Sequence, residues 1–486
     1  MMICAFLFTC VAGWLLICPW LSRRPGLGLV PAIALSFAAG TAALSLDLLL
    51  LNLAHIPWTR FSVLSPWIAA AAAHALFGRR RWAPPMPRLR RPCFLEIAAL
   101  AFSGIVLLAW VPYERLMPLN EWDAIMLWMF KAKAFYLDGS IAPYMSRAHE
   151  FLGNPAYPLL VPLYTTFLYI FSGSAADQLA KLVSPCLLAS LAAGFYYFLR
   201  RYGSRPVAAI FTSMLAGVYM VDVAAFRYAG YADTAVAAAI LLAAGFLYAW
   251  FYEGDYADFA LAVFFASIAA WTKNEGQFFL AGFGALAAAR LISRRIWNSS
   301  YWFTLAAFPI LFVTPWVAAR SVYGVKRPGE LSGEMMRTNI ASYGPTVKAI
   351  FEHAFTPAPP DAFGSRVWLF NLAFPFCLLA VFLYRRAGLD RRFWALPALA
   401  CWQLFGVSLV YVTGPVNLQW MIGSSLDRVL SQIAPLALLA AALAFASYYS
   451  RAEARLEIPA EDGASLRKRR EKARASPKKQ RGKSQA

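Results

Sequence analysis

The sequence predicts an all-α polytopic membrane protein with about thirteen membrane-spanning helices. Of its 486 residues, 60% are hydrophobic and only 14% are charged, whereas soluble domains carry about 25% charged residues. The net charge of +20 is typical of nucleic-acid-binding proteins, but such an interface needs a folded soluble surface to carry the charge. A soluble globular enzyme is therefore disfavoured, and no nucleic-acid partner is expected.

Apolar stretches of the ~20 residues that a helix needs to cross a bilayer recur along the chain. The first seven lie near 3–20, 27–53, 61–78, 94–112, 176–199, 206–223 and 233–252. The other six lie near 256–271, 276–292, 301–320, 366–384, 393–413 and 430–449. One further stretch, 157–171, is shorter and contains Pro158 and Pro162.

Basic clusters give the orientation of these spans, because Lys and Arg near membrane ends mark the cytoplasmic side. If 157–171 does not cross the membrane, the thirteen spans place all the basic clusters on the same side. If it crosses, every later cluster moves to the other side. We therefore predict that 157–171 is a re-entrant or juxtamembrane helix on the outer face. The N-terminus is then outside and the C-terminus cytoplasmic. The predicted cytoplasmic segments hold 29 of the 45 Lys and Arg and nine of the 25 acidic residues, a difference equal to the whole net charge. The clusters are 23–24, 79–91, 200–205, 294–295, 385–392 and the tail after 451.

Three regions follow from this topology. Residues 1–92 form an N-terminal extension of three spans with a basic cytoplasmic loop. Residues 93–450 form a transmembrane core, and its long outer loops are 113–175 and 321–365. The tail 451–486 has twelve Lys/Arg and five Asp/Glu and is predicted to be disordered. It is either a solvated orientation signal or a contact for anionic membrane lipids.

Polar residues at the predicted outer boundary are candidate functional residues, because charges in or beside a bilayer are costly and commonly functional. Glu121 and Asp123 begin a segment, 121–135, that we predict to be an amphipathic interfacial helix. Asp123 is suited to act as a general base toward an acceptor hydroxyl or amine. Alternatively, both acids only stabilise the helix N-terminus. One face of this helix is predicted to carry Trp122, Ile125, Trp128 and Met129.

Two of the basic residues outside the predicted cytoplasmic segments lie at the outer boundary of a span, against the general bias. Lys273 lies where two spans meet almost without a loop, and an ammonium group there suits a phosphate or diphosphate. Arg428 precedes the last span, and its planar guanidinium can bind phosphate oxygens through two N–H donors. The plain alternatives are local pairs, of Lys273 with Glu275 and of Arg428 with Asp427.

Tyr157 and the residues around the start of the seventh span complete the candidate set. Tyr157 begins the short stretch in a proline-rich segment, where the alternative role is membership of an aromatic belt. Arg227 and Asp233 lie at the outer junction between the sixth and seventh spans, and Asp233 is alternatively the N-cap of the seventh span. The sequence contains no P-loop, no Rossmann glycine pattern and no nucleophile elbow, so ATP and NAD have no visible site.

Taken in order, these motifs resemble the GT-C superfamily of integral-membrane glycosyltransferases. The resemblance is to the branch containing protein O-mannosyltransferases and the bacterial aminoarabinose transferases of lipid A, and it covers roughly Pro112 to Pro435. It rests on Glu-x-Asp at 121–123, Tyr-Pro-Leu at 157–159, Tyr-Ala-Asp at 231–233, Thr-Lys-Asn-Glu-Gly at 272–276 and Ser-x-x-Asp-Arg at 424–428.

The resemblance implies a GT-C-type core and a sugar donor attached to a polyprenyl phosphate, used at the outer membrane face. It implies that Asp123, with Glu121 beside it, serves as base or acceptor-orienting group. Lys273 and Arg428 are implied near the donor phosphate. The cavity-lining residues would be Tyr157, Asp233, Glu275 and Arg227.

The chain departs from the O-mannosyltransferase pattern in two places. That pattern has adjacent Asp-Glu and a His before the paired prolines, whereas here Trp122 separates the acids and Asn154 precedes Pro155. Protein mannosylation is therefore not the expected activity. No cofactor is required by the pattern, and a divalent metal stays an open alternative.

The expected function is transfer of a sugar, by an inverting displacement, to a glycan, lipid or protein acceptor outside a bacterial inner membrane. A lipid or oligosaccharide transporter and a polymerase or ligase of surface polysaccharide are the alternatives. Transporters place their sites near the bilayer midplane, whereas the candidate charges here gather at one boundary.

Overall fold

Every predicted span overlaps a helix in the computed structural model of the chain. The structure describes residues 2–21, 27–77, 93–147 without 117 and 120, 155–219, 230–325, 342–355, 372–383, 391–413 and 418–456. Within these ranges all regular structure is helical. This agrees with a membrane environment, where a helix satisfies its own backbone hydrogen bonds.

Eighteen helices are numbered along the described parts of the chain, together with two short segments of other helix types. The first group is α1 (Met2–Leu21), α2 (Leu29–Leu53), α3 (Arg60–Phe77) and α4 (Phe94–Leu116). The next group is a π-helix (Ala124–Met129), α5 (Phe130–Asp138), α6 (Ala142–Ser146), α7 (Leu160–Ser172) and α8 (Asp177–Ala180). Six long helices follow: α9 (Val183–Tyr202), α10 (Arg205–Tyr219), α11 (Asp233–Glu253), α12 (Tyr256–Thr272), α13 (Asn274–Ser293) and α14 (Ser299–Val322). The last are α15 (Tyr343–Phe355), α16 (Ala373–Leu383), a 3₁₀ turn (Arg391–Trp394), α17 (Ala395–Thr413) and α18 (Leu418–Leu456).

Nine helical segments in the described ranges are long and apolar enough to cross a membrane. The chain is thus consistent with an integral membrane protein, although thirteen crossings are not confirmed. Helices α12 and α16 are apolar but shorter. The nine segments are 3–21, 29–53, 94–116, 177–202, 233–253, 274–293, 299–322, 391–412 and 422–449.

Helices α11 and α18 form the centre of the bundle, since 94% of the apolar window of each is buried. Alanines dominate the middle of α11 and let neighbouring helices approach closely. Helices α4 and α14 are peripheral, with 22% of their windows buried. Their exposed apolar side chains suit contact with lipid.

Side-chain contacts show which helix ends lie together. Arg201 at the end of α9 donates to Asp258 in α12 and to Glu253 at the end of α11. Arg290 donates to the carbonyl oxygen of Phe251, and Arg392 to that of Tyr252. These contacts define the Arg201 end of the bundle. The predicted cytoplasmic basic clusters at 200–205 and 294–295, and the described residues 391–392 of a third, lie on or next to the helix ends that meet here.

The opposite end is named the Lys273 end, because α12 finishes there and α11, α13 and α18 begin there. Helices α4 and α9 run antiparallel between the two ends. Glu96 lies 3.8 Å from Arg200, and Glu114 lies 3.9 Å from Lys181. The segment between α4 and α9 therefore begins and ends at the Lys273 end, as expected if it does not cross the bundle.

Candidate active site

Five candidate residues from four separate parts of the chain meet at the Lys273 end. Asp233 is the first residue of α11, Lys273 links α12 to α13, Arg428 lies near the start of α18, and Asp123 immediately precedes the π-helix. Glu275 is the second residue of α13. One connected set of ion pairs joins all five side chains. We call this set the charged cluster.

Lys273 is buried between two carboxylates. Its Nζ lies 3.0 Å from Oδ1 of Asp233 and 3.0 Å from Oε1 of Glu275. The extended backbone of Lys273 (φ −157°) is the whole connection between α12 and α13. Burial opposes the charge on Lys273, but the two carboxylates outweigh burial and raise the pKa of the amine above its ordinary value. Lys273 is therefore a permanent cation at neutral pH.

Gly276 allows this tight connection. A Cβ at this position would overlap the backbone carbonyl of Ala269 in α12. The two helices therefore approach so closely that only glycine fits. This approach sets the position of Glu275, whose backbone oxygen also accepts a hydrogen bond from Gln403 in α17 (3.2 Å).

Arg428 connects Asp123 to the rest of the charged cluster. Its Nη1 donates to Oδ2 of Asp123, and its Nε lies 3.9 Å from Oδ1 of Asp233. The guanidinium also lies over the ring of Tyr231, 4.8 Å from the ring centre, a favourable cation–π geometry. Nε has no hydrogen-bond partner among the described residues, so Arg428 retains a donor for a further group.

Asp233 is the centre of the charged cluster. Its Oδ1 accepts from Lys273 (3.0 Å) and from Gln432 (2.5 Å). Its side chain makes no capping bond to the helix backbone, and the N-cap of α11 is Ala232. The alternative prediction that Asp233 caps this helix is therefore wrong. Its carboxylate is held by side chains of other helices instead.

Two buried carboxylate oxygens in the charged cluster are without a hydrogen-bond partner in the described part of the chain. They are Oδ2 of Asp233 and Oε2 of Glu275. Buried polar atoms are normally hydrogen-bonded, so both are acceptors available to hydroxyl or amine donors of a bound molecule. With all groups ionised, two cations face three carboxylates, so the charged cluster carries one net negative charge.

The segment after Asp123 is helical, as predicted, but not with the predicted periodicity. Residues Ala124–Met129 form a π-helix, whose wider turn shifts the register of the side chains. The predicted apolar face is therefore wrong: Trp128 and Met129 are buried, whereas Trp122 and Ile125 are exposed. Asp123 makes no capping bond to this helix, and its carboxylate turns to Arg428.

The remaining predicted site residues lie around the charged cluster or outside the described residues. Glu121 is half-buried and takes part in none of the ion pairs between described residues. Tyr157 packs its ring against Trp128, with centroids 5.6 Å apart, so it lies beside the segment that carries Asp123. Arg227 lies outside the described residues.

Sequence reasoning missed Gln432 and the role of Tyr231. Gln432 follows Arg428 by four residues, so both side chains lie on one face of α18. A polar residue at that spacing inside an apolar span is the signal that identifies it. Tyr231 is buried, and burial together with the nearby acids raises the pKa of its hydroxyl. Its ring therefore stays neutral beneath Arg428.

A second polar group, also missed, supports the segment before α9. The buried Glu114 accepts from the indole nitrogen of Trp110 (2.9 Å) and faces Lys181. Asp177 pairs with Lys133 (2.5 Å) and accepts from the hydroxyl of Tyr169 (2.5 Å). These contacts join α4, α5, α7 and α8 and hold the segment that carries Asp123 against the bundle.

The described residues contain no group of three or more His, Cys, Asp or Glu side chains that could hold a metal ion. Comparison with protein-family models finds no match, and comparisons with curated proteins and with solved structures find none either. The chemistry of the charged cluster is therefore the basis for assigning a function.

Proposed function

We propose that the protein is a glycosyltransferase that moves a sugar from a polyprenyl-phosphate donor to an acceptor at the outer face of a membrane. One observation carries this proposal. A candidate base, Asp123, and two candidate phosphate ligands, Lys273 and Arg428, belong to one connected set of side chains at one end of the bundle. The resemblance to GT-C transferases supports the same assignment, with the Lys273 end facing outward and a bacterial inner membrane as the location.

The Asp123–Arg428 pair represents a resting state in this proposal. Arg428 occupies one oxygen of the Asp123 carboxylate, so that oxygen is not available to receive the proton of an acceptor. A donor phosphate competes for the same guanidinium, and Nε of Arg428 already has an unused donor to offer. Binding of the phosphate to Arg428 and Lys273 then releases Asp123 toward the acceptor.

The transfer itself is a single displacement. The acceptor O–H or N–H gives its proton to Asp123 as the acceptor atom bonds to the anomeric carbon. The bond from that carbon to the phosphate oxygen breaks, and its electron pair stays on the departing polyprenyl phosphate. Lys273 and Arg428 stabilise the charge that develops there. The unpartnered oxygens of Asp233 and Glu275 are placed to accept hydrogen bonds from donor hydroxyls.

The test is incubation of the purified protein with a panel of polyprenyl-phosphate sugars and candidate acceptors, with mass-spectrometric detection of released polyprenyl phosphate. Lys273→Ala should raise the donor KM more than it lowers kcat, because it removes a phosphate contact. Asp138→Asn, an exposed acid in the same segment, is the matched control and should leave both constants unchanged. Substrate movement without bond cleavage would favour a transporter and reject the proposal.

A further inference from the structure

A cavity of about 290 Å³ lies away from the charged cluster, where the α2–α3 connection meets the ends of α5 and α7. Its size is at the lower limit of pockets for drug-sized ligands, which are roughly 300–1,000 Å³, so it suits a head group rather than a large molecule. The lining residues are Trp58, Thr59, Arg60, Tyr136, Gly139, Ile170 and Gly173.

The cavity opens at the Lys273 end of the bundle. Asn52, near the end of α2, accepts from Ser140 (2.8 Å) and donates to the hydroxyl of Tyr323 (3.1 Å). Tyr323 follows α14, which begins at the Arg201 end, where Thr304 contacts Tyr256. Arg60 is thus a basic residue at the end opposite to the basic clusters. Like Lys273 and Arg428, it lies outside the predicted cytoplasmic basic clusters.

Arg60 is exposed, and one hydrogen bond anchors it while most of its donors remain available to a further group. Its Nε donates to the backbone oxygen of Ile170 (3.1 Å), and no other hydrogen bond or ion pair to a described residue occupies its guanidinium. Asp138 adjoins the lining residue Gly139, but no described ion pair joins it to Arg60. The two terminal nitrogens of the guanidinium are therefore available as a pair of hydrogen-bond donors, the geometry that binds phosphate oxygens.

Two other residues that line the cavity, Trp58 and Gly173, shape the space around Arg60. The indole nitrogen of Trp58 donates to the carbonyl oxygen of Leu48 (3.0 Å), which fixes the orientation of this ring in the cavity wall. Gly173 lies so close that a Cβ would stand 2.8 Å from Nη2 of Arg60. A side chain at position 173 would therefore displace the guanidinium of Arg60. An aromatic residue beside a cation at this level is also typical of membrane head-group contacts.

We propose that this cavity is a phosphate-binding site, with Arg60 as the anion ligand. Two sources share this chemistry, the phosphodiester head group of a membrane lipid and a soluble phosphate ester. The proposal is independent of the glycosyltransferase assignment, because neither Arg60 nor the cavity takes part in the charged cluster.

The experiment measures lipid binding to the full-length protein in detergent by native mass spectrometry. Phosphatidylglycerol is compared with diacylglycerol, which has the same chains but no phosphate. Arg60→Gln should raise the apparent Kd of phosphatidylglycerol about tenfold or more, the effect of losing charge-assisted hydrogen bonds. Arg115→Gln, which removes an exposed arginine at the same end of the bundle, should leave the Kd unchanged.

Two glycine-to-alanine variants test whether the position of the Arg60 guanidinium matters when its charge is unchanged. Gly173 and Gly254 both follow a helix with positive φ, 77° and 78°, so alanine brings similar backbone strain at each. Only at Gly173 does the added methyl group reach Arg60. Gly173→Ala should therefore weaken phosphatidylglycerol binding, whereas Gly254→Ala, at the Arg201 end, should not.

Competition identifies the source of the phosphate. Displacement of the lipid by glycerol 3-phosphate would assign the site to a soluble ester, and persistence of the lipid would assign it to a head group; both support a phosphate site. Equal binding of diacylglycerol, or equal lipid Kd values for Arg60→Gln and Arg115→Gln, would overturn the proposal.

Discussion

Replacing Lys273 by Met tests whether the charged cluster is as tightly coupled as its geometry indicates. The substitution keeps an unbranched side chain but removes the ammonium group that faces Asp233 and Glu275 at 3.0 Å each. Asp233 is 1% exposed, so water cannot replace the lost partner. Two carboxylates would then share a buried region with one fewer cation.

The expected cost is large. Removing one partner of a buried ion pair costs about 3–5 kcal/mol, because the other charge stays buried and uncompensated. Neutralising both carboxylates as well, in Lys273→Met/Asp233→Asn/Glu275→Gln, should recover more than half of this loss. Asn at 233 still offers an oxygen to the amide of Gln432, which now donates to Oδ1 of Asp233.

The assay is the free energy of unfolding in an SDS titration of protein held in mild detergent. Lys348→Met is the matched control, since Lys348 pairs with Glu352 at 3.7 Å on the surface with 75% of its side chain exposed. Exposed pairs contribute about 0–1 kcal/mol. If Lys273→Met costs no more than this control, the buried coupling inferred for the charged cluster is wrong.

The pH dependence follows from the raised pKa of Lys273. A group whose folded pKa exceeds its unfolded value stabilises the fold fully below the unfolded value, about 10.5. That contribution is lost only as pH rises through the raised folded value. Titration of Lys273 itself should therefore add no pH dependence to the wild-type unfolding free energy from about pH 6 to about pH 9 in SDS titrations.

Three further predictions concern the surroundings of the charged cluster. Gly276→Ala forces α12 and α13 apart at the carbonyl of Ala269 and should lower both the unfolding free energy and sugar transfer; unchanged values would contradict the close approach. Burial lowers the pKa of Lys131 to about 7, so the folded state binds fewer protons than the unfolded state up to about pH 10.5. Wild-type stability should therefore rise with pH between about 7 and 10.5, and Lys131→Met should remove that slope in SDS titrations at several pH values. Arg201→Met leaves the carboxylate of Asp258 buried without its guanidinium partner and should cost about 3–5 kcal/mol, while transfer activity per folded molecule stays normal because this contact lies at the opposite end.

Much of the helical architecture is predictable because it depends on local composition. Apolar stretches of spanning length locate the helices, and basic clusters such as Arg200-Arg201 indicate which ends lie together. Individual crossings are harder to predict, since α12 and α16 are apolar but short. The predicted route of the segment between α4 and α9 agrees with the structure, where Glu114 faces Lys181.

The choice of partners within the site is a tertiary property. Local reasoning offered Glu275 as the partner of Lys273, and this pair exists, but Asp233 is an equal partner from another helix. Arg428 similarly binds Asp123, which lies 305 residues away in the chain. Spacing along the sequence cannot distinguish such pairs, because the helices that bring them together are far apart in the chain.

Two features have no strong local signal. The π-helix Ala124–Met129 lies in a segment whose residues fit an ordinary α-helix equally well, so the exposure of Trp122 and the burial of Trp128 were not predicted. Lys131 carries a charged group that normally lies at the surface, yet its side chain is completely buried. Packing against other elements, rather than the local pattern, determines both positions.

The most direct test of the proposed function is polyprenyl phosphate release by Asp123→Asn in detergent, measured beside wild type with the donor and acceptor that the panel identifies. The substitution keeps the shape of the side chain and removes its basic lone pair, so transfer should fall about 10²–10⁴-fold while donor binding persists. Full transfer by Asp123→Asn would contradict the assignment of Asp123 as the base.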